Sequence, residues 1–268
     1  MSTIFQITNI LKAFAPEEHV FKPCNDNVGL LLGNDKAIVK KVLVCLDATD
    51  AVIDEAIALQ AQLIISHHPF IFAPIKRINA RDLLGKKIIK AIANGINIYS
   101  SHTNLDFVAG GINDFLASGL GLRNISPLDP YIDSQAGFGR VGELPNKMPA
   151  IEFKELVAQF LKDKNTRLIA KENASVKRIA VINGAGGADT SSIDMALKAG
   201  ADCLVTADVK HHVAIYASEL NLTIIEPDHY SSEHIFINRL TQILKIEAKS
   251  QNLGVEILQS KQDKNPRL

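Results

Sequence analysis

The sequence predicts an α/β protein built from two similar lobes that arise from an internal repeat. Apolar runs of strand length alternate with amphipathic stretches of helix length along most of the 268 residues. The second half of the chain repeats the order of segments found in the first half. A chain of this length suits one large or two smaller domains. The predicted lobes are residues 1–125 and 126–268, and the second includes a connecting segment at 126–150.

The first half alternates helices and strands. An amphipathic helix is predicted over 3–14, because apolar residues recur there with helical spacing. These residues are Ile4, Ile7, Ile10, Leu11 and Phe14. A loop then runs through Pro23. The following elements are a strand at 41–46, a helix at 50–60, a strand at 62–66, a helix at 83–94 that stops at Gly95, and a strand at 96–100.

The second half contains matching segments in the same order. The pairs are 177–182 with 41–46, 193–197 with 53–57, 203–206 with 63–66, and 222–225 with 96–99. In both halves the last strand is followed by a histidine and, four residues later, a carboxylate: His102 with Asp106, and His229 with Glu233. Residues 70–82 have no counterpart in the second half. Five ordered correspondences indicate an internal repeat.

Two further segments, the one between the halves and the C-terminal tail, lie outside the repeat. Residues 123–150 contain four prolines, and we interpret them as the connection between the lobes, with a short strand at 140–144. The tail at 261–268 is polar and is predicted to be frayed.

The composition excludes several classes of protein. Lysine plus arginine equals aspartate plus glutamate, at 29 each, so no basic excess indicates a nucleic-acid footprint. Neither a secretory signal nor an apolar run long enough to span a membrane is predicted. Cys24, Cys45 and Cys203 are too widely spaced for a disulfide framework or a Cys-x-x-Cys metal site. We expect a cytoplasmic protein with reduced, buried thiols.

Residues that can bind divalent cations follow several predicted strands. The strand L-I-I-S at 63–66 leads directly into His67 and His68. The complete set is His67, His68, His102, Asp106, Asp208, His211, His212, His229 and Glu233. Imidazole and carboxylate ligands suit zinc, iron, cobalt, nickel or manganese better than magnesium or calcium. Each motif alone also fits a solvated strand end or helix face, but together they predict a metal site.

Two other motifs allow alternative interpretations. The sequence N-G-A-G-G-A-D at 183–189 can form a phosphate-binding turn, but it lacks the Gly-Lys-Ser/Thr of a P-loop and the third glycine of a dinucleotide fingerprint. A tight strand-to-helix turn explains it equally well. Asp26 can serve as an acid, a base or an outer partner of a metal ligand, or simply form a turn.

Five motifs in order resemble those of the Nif-three-like dinuclear metal-centre family, whose members are often named GTP cyclohydrolase I type 2 homologues. The motifs are D-N-V-G-L-L-L-G at 26–33, S-H-H-P at 66–69, S-H-T-N-L-D at 101–106, A-D-V-K-H-H at 207–212 and D-H-Y-S-S-E at 228–233. The resemblance spans nearly the whole chain, and the short connection resembles the compact form without an inserted middle domain.

The resemblance implies two α/β lobes facing a shared cleft that holds two divalent metal ions per subunit. The implied ligands are His67, His68, Asp106, His229 and Glu233. Glu233 would bridge the ions, with His67 and Asp106 on one and His68 and His229 on the other. The resemblance also implies that His102, His212 and Asp208 orient ligands or move protons in the catalytic cleft.

The function implied by the resemblance is metal-dependent hydrolysis of a small molecule, with a nucleotide as one candidate and a homohexamer as the assembly. GTP ring opening would require a triphosphate contact, for which the candidates are Lys210, Arg140 and residues 183–189. The alternative is a non-catalytic metal-binding or regulatory oligomer that recruits protein partners.

Overall fold

The computed structural model describes residues 1–21, 25–130 and 136–267, so Pro23 and Cys24 lie outside the described residues. The chain forms two compact units, one made of Met1–Leu105 with Phe236–Leu268 and the other of Asp106–Ile235. These bounds differ from the predicted 1–125 and 126–268. The difference has two causes: a C-terminal strand pairs within the first unit, and a helix at Ile112–Gly119 packs on strands of the second.

The first unit contains a five-stranded sheet. Its strands, in spatial order, are β13 (Glu256–Gln259), β4 (Lys41–Cys45), β5 (Leu63–Ser66), β6 (Asn97–Ser100) and β2 (Gly29–Leu32). The first four are parallel, and β2 is antiparallel to β6. A separate antiparallel pair joins β1 (Ser2–Thr3) to β3 (Ile38–Val39). This sheet aligns the carboxyl ends of β4, β5 and β6 along one edge.

Two helices of the first half, α1 (Ile4–Phe14) and α2 (Asp50–Ala58), begin at threonine side chains that cap them. They are followed by α3 (Leu83–Ala93) and the short α4 (Thr103–Phe107). A capping box opens α1, since the Thr3 hydroxyl accepts from Gln6 N and the Gln6 side chain accepts from Thr3 N. Gly95, with φ +67°, follows α3. The predicted helices and strands of this half agree with the observed ones to within about two residues at each end.

The second unit contains a six-stranded sheet. Its strands, in spatial order, are β7 (Arg123–Pro130), β8 (Gly137–Pro149), β10 (Ser175–Val181), β11 (Cys203–Val205), β12 (Thr223–Glu226) and β9 (Arg167–Ile169). β10, β11 and β12 are parallel, whereas β8 and β9 run antiparallel to their neighbours. Its helices are α5 (Ile112–Gly119), α6 (Ala150–Leu161), α7 (Ser191–Lys198) and α8 (His211–Glu219), with a 3₁₀ turn at Gly184–Ala188 and the start of α9 (His229–Ser250).

The segment at 126–150, predicted to be the connection, contains more regular structure than expected, because β7 and β8 form an antiparallel pair there and the predicted short strand at 140–144 lies within β8. Its residues 131–135 lie outside the described residues. Pro127 and Pro130 are tolerated because β7 is an edge strand, where an absent N–H costs little. Pro145 lies where the β8–β10 register shifts, between the pairs Met148–Val176 and Glu143–Arg178.

The predicted fraying of the tail at 261–268 is wrong at its beginning. Lys261 N and Gln262 N donate to the Glu55 carboxylate, and the buried Asp263 carboxylate accepts from Leu46 N. Backbone groups and a buried carboxylate therefore attach this segment to the end of β4.

The structure also describes two of the three cysteines and the character of the helices. Cys45 and Cys203 are buried free thiols, and their burial raises the pKa of each well above its usual value. Among the described residues, no helix combines the length and the apolar character that a membrane crossing requires.

Candidate metal centre

Three histidines of the first unit lie together at the carboxyl ends of β5 and β6. His67 and His68 directly follow β5, and His102 follows the neighbouring parallel strand β6 after one serine. One ligand atom from each histidine lies within 4.8 Å of the other two. Their ring centroids are 5.1 to 5.7 Å apart. The predicted strand-end position of the paired histidines therefore brings both of them next to His102.

The Nδ1 atom of each of these histidines contacts an oxygen acceptor. His67 Nδ1 lies 2.9 Å from the Ser101 carbonyl oxygen. A carbonyl only accepts hydrogen bonds, so this nitrogen donates and the ring lone pair of neutral His67 is on Nε2. His68 Nδ1 lies 2.9 Å from Asp47 Oδ1, and His102 Nδ1 lies 2.7 Å from Asp26 Oδ1. Metal-binding histidines in proteins typically show this pattern.

Asp26 supports His102 and the start of α4. Its second carboxylate oxygen accepts from Thr103 N at 3.1 Å and from the Thr103 hydroxyl. Burial acts to raise the pKa of Asp26, but the hydrogen bonds and charge of His102 and the bonds from Thr103 lower it to about 2. Asp26 is therefore ionised near neutral pH, which favours its contact with His102 Nδ1. The structure thus places Asp26 as an outer partner of a candidate ligand.

In the second unit, a histidine and a carboxylate lie on the first turn of α9. His229 and Glu233 are one turn apart, and His229 Nε2 is 3.0 Å from Glu233 Oε2. His229 Nδ1 contacts Asp208 Oδ2 at 2.7 Å, so this ring has the same Nδ1–oxygen contact as the other three. Glu233 is buried, which makes its carboxylate expensive to ionise without a compensating charge.

Asn183 joins the two predicted carboxylate ligands of the second unit. Its Nδ2 atom donates to Asp106 Oδ1 at 2.9 Å and to Glu233 Oε1 at 3.0 Å. Its backbone N–H donates to Asn113 Oδ1 at 2.9 Å, which fixes the residue at the end of β10. The sequence analysis considered Asn183 only as the first residue of a possible phosphate-binding turn at 183–189, and not as a partner of these carboxylates. Its position as the second residue after a buried strand was the available signal.

Gly184 leaves room for these side chains. Its φ is +60°, and a Cβ atom at this position would clash with Glu233 Oε1 and lie 3.2 Å from His229 Nε2. The turn at 183–189 is thus a tight strand-to-helix turn that passes beside a histidine and a buried carboxylate. The available donors are imidazole nitrogens, whose rings are held through Nδ1, and carboxylate oxygens. This donor set fits a divalent transition metal, and Gly184 leaves space beside it.

The structure does not place every predicted residue with these groups. His212 is exposed in the first turn of α8, and within the described part of the chain it makes no hydrogen bond to Asp208 or His229. Its catalytic role stays a prediction. Asp47, which holds His68, was not predicted from the sequence, because an aspartate between a strand and a helix usually serves only to form the turn.

The structure does not favour Arg140, one of the candidates for a triphosphate contact, in that role. Its side chain is buried, and its guanidinium donates to the Asp114 carboxylate and to the carbonyl oxygens of Gly137, Gly139, Phe107 and Val108. These acceptors occupy the donors of the guanidinium, so Arg140 has a structural role.

Comparison with known proteins identifies the family. A family model described as Duf34/NIF3 (NGG1p interacting factor 3) matches residues 2–266. The chain belongs to the NIF3 family. This confirms the predicted family and the mixed α/β fold with several sheets.

Relatives within the NIF3 family match almost the whole chain. A Clostridium perfringens protein named GTP cyclohydrolase 1 type 2 homolog is 38% identical over 261 residues, which is 97% of each chain. A protein of the same name from Clostridium acetobutylicum is 36% identical over 262 residues, 97% of this chain and 96% of the relative. The crystal structure of a Bacillus cereus protein related to NIF3 superposes with a TM-score of 0.91 at 26% identity, covering 100% of this chain and 99% of the other.

Proposed function

We propose that this NIF3-family protein binds two divalent metal ions per subunit and uses them in the hydrolysis of a small molecule, with a nucleotide as the leading substrate class. The proposed ligands are His67, His68, Asp106, His229 and Glu233. The observation that carries the proposal is the contact of Nδ1 with an oxygen acceptor in His67, His68 and His229, which leaves each Nε2 suited to a metal. The names of the clostridial relatives support hydrolysis of a nucleotide.

We propose further that the two units descend from an internal repeat and face a shared cleft, so that ligands from both contribute to one dinuclear centre. The strand order supports the repeat. In the sheet of the first unit, the parallel strands β4, β5 and β6 lie side by side in this order, and antiparallel β2 lies next to β6. In the sheet of the second unit, the parallel strands β10, β11 and β12 lie in the same way, and antiparallel β9 lies next to β12. Ligand-type residues follow the third parallel strand in both sheets.

Side chains of this protein would transfer protons and orient the metal ligands. Bound divalent ions would supply Lewis acidity, and zinc, iron, cobalt, nickel and manganese all suit the ligand set. His102, held by Asp26, would accept a proton and return it to the leaving group. Asp208 would orient His229, and Asn183 would orient Asp106 and Glu233. His212 would move a proton in the proposed cleft, a role that rests on the family resemblance.

Metal content per chain tests the proposal. After incubation with zinc, iron or manganese and removal of excess metal, elemental analysis should give about two ions per wild-type chain. His68→Ala and Glu233→Ala should each lose at least one of them, because both remove a proposed ligand. His212→Ala is the matched control, since it removes an exposed histidine and should keep wild-type metal content. Wild type binding no more metal than Glu233→Ala would overturn the ligand assignment.

Turnover by the metal-loaded protein separates the enzyme from the alternative, a regulatory metal-binding oligomer that recruits protein partners. Hydrolysis that disappears in folded Glu233→Ala supports the enzyme. Full metal occupancy without hydrolysis of nucleotides or phosphoesters supports the alternative. A cytoplasmic location, the absence of membrane and nucleic-acid partners, and a homohexamer belong to the same proposal. A sedimentation mass corresponding to six chains would support the hexamer.

A further inference from the structure

The loop between β5 and α3, residues 71–82, has an aromatic ring beside the histidines of the first unit. We call it the 71–82 loop. The Phe72 side chain is 52% exposed, and its ring centroid lies 6.5 Å from that of His102, with the planes at 88°. This edge-to-face arrangement lies within the range of favourable aromatic contacts. A large part of an apolar ring therefore faces solvent next to three polar imidazoles.

Contacts at both ends hold the 71–82 loop in place. Asn27 Nδ2 donates to the Ile71 carbonyl oxygen at 2.5 Å, and Asn27 directly follows Asp26, the residue that holds His102. The same short segment thus positions both rings of the Phe72–His102 contact. At the far end, Asn79 Nδ2 donates to Asp82 Oδ2 at 2.8 Å, and a Cβ atom on Gly85 would clash with the Asn79 backbone.

The loop also carries positive charge that no carboxylate neutralises among the residues described. Lys76, Arg77 and Arg81 are exposed, and none of their side chains forms an ion pair with a described residue. The one acidic residue of the loop, Asp82, accepts from Asn79. Exposed cations within a few residues of an exposed ring suit a ligand that combines a planar aromatic system with a negative group.

We propose that the 71–82 loop recognises a nucleotide, with Phe72 stacking on the base and the loop cations attracting the phosphate. Phe72 would be a specificity-determining residue. The proposal rests on the proposed function, because it names the residues that would recognise the nucleotide proposed there as substrate. The loop has no counterpart in the second half of the chain, so recognition would come from the first unit alone.

Binding of a nucleotide and its two fragments tests this assignment. Guanosine monophosphate, guanosine and ribose 5-phosphate are titrated calorimetrically into the metal-loaded protein. Phe72→Ala should weaken binding of both base-containing ligands by about fivefold or more and leave ribose 5-phosphate unchanged, because only the base can stack. Phe72→Tyr should retain wild-type affinity. Replacing Lys76, Arg77 and Arg81 together by glutamine should weaken both phosphate-containing ligands, reduce their salt dependence and leave guanosine unchanged.

Phe5→Ala is the matched control, since Phe5 is a phenylalanine of the first unit that is 50% exposed, on α1. The proposal is overturned if Phe72→Ala binds guanosine monophosphate as tightly as Phe5→Ala does, or if the metal-loaded wild type does not bind it. Metal content measured on the same samples keeps the two proposals apart. A wild type that lacks metal contradicts the proposed function, whereas full metal content with no effect of Phe72→Ala contradicts only the role of the loop.

Discussion

At the scale of single residues, the chemistry of the candidate centre depends on what holds each imidazole. A histidine ring carries one proton when neutral, and an acceptor at Nδ1 keeps that proton there. Ser101 O, Asp47, Asp26 and Asp208 supply such acceptors for His67, His68, His102 and His229 respectively. Three of the acceptors are carboxylates, whose negative charge also favours the binding of a cation by the ring. The side chains that bind no metal themselves should therefore affect metal affinity.

Replacing Asp208 by asparagine tests that dependence. Asp208 has φ +54°, and asparagine tolerates this left-handed conformation, so the backbone should be retained. The amide lacks the negative charge that supports His229, and we expect metal affinity to fall roughly 10- to 100-fold. Competition with a chelator of known affinity measures the change. Asp194→Asn is the control, because Asp194 is an exposed aspartate of α7 that contacts Tyr216 instead. Equal affinities in the two variants would contradict the orienting role.

Gly184→Ala should remove metal binding through one added methyl group. The Cβ would meet Glu233 Oε1 and His229 Nε2, and φ of +60° strains any residue with a side chain. Gly200→Ala is a close control, since Gly200 has φ +72° but its Cβ would approach only Arg178, no closer than 3.8 Å. Both variants should lose about 1 kcal/mol of unfolding free energy from backbone strain. Elemental analysis should show metal loss in Gly184→Ala alone, and equal metal content in both would contradict the steric argument.

At the scale of elements, the parallel strands were predictable because burial on both faces requires continuous apolar runs. L-I-I-S at 63–66 and C-L-V at 203–205 are such runs, and both are fully buried. A buried strand ends where polar residues begin, so the position of His67 and His68 beyond β5 also followed from the sequence. The start of α9 at His229 placed Glu233 on the same face, as its four-residue spacing predicts.

Only the short strand at 140–144, within β8, was predicted from local sequence, and the rest of β8 and all of β7 were not. Their pairing depends on an edge position and a register shift, and neither leaves a periodic signal in residues 123–149. Prolines normally indicate loops, but an edge strand tolerates them. For a similar reason, Asp47 was missed and Asn183 was considered only as part of a phosphate-binding turn. Each is an ordinary turn residue in the sequence and becomes informative only once the contact of its side chain is known.

At the scale of the whole molecule, the first unit is assembled from both ends of the chain. β13 pairs in parallel with β4, which lies more than 200 residues earlier in the sequence. Beyond β13, the Asp263 carboxylate accepts from Leu46 N, and the side chain is only 6% exposed. Leu46 is the residue that follows β4 and directly precedes Asp47, the partner of His68. The C-terminal segment therefore stabilises the end of β4, and the residue after Leu46, Asp47, contacts the candidate ligand His68.

Asp263→Ala tests this long-range contact. The substitution leaves the buried Leu46 N–H without its carboxylate acceptor, and we expect a loss of about 1–3 kcal/mol in the free energy of unfolding. Urea denaturation measures the loss, and hydrogen exchange at Leu46 should be faster because the end of β4 opens more often. Lys264→Ala alters an exposed neighbour and should change neither quantity. If Asp263→Ala matched Lys264→Ala in both measurements, the contact of Asp263 with Leu46 would have no energetic consequence, and the proposed stabilisation of the end of β4 by this carboxylate would be contradicted.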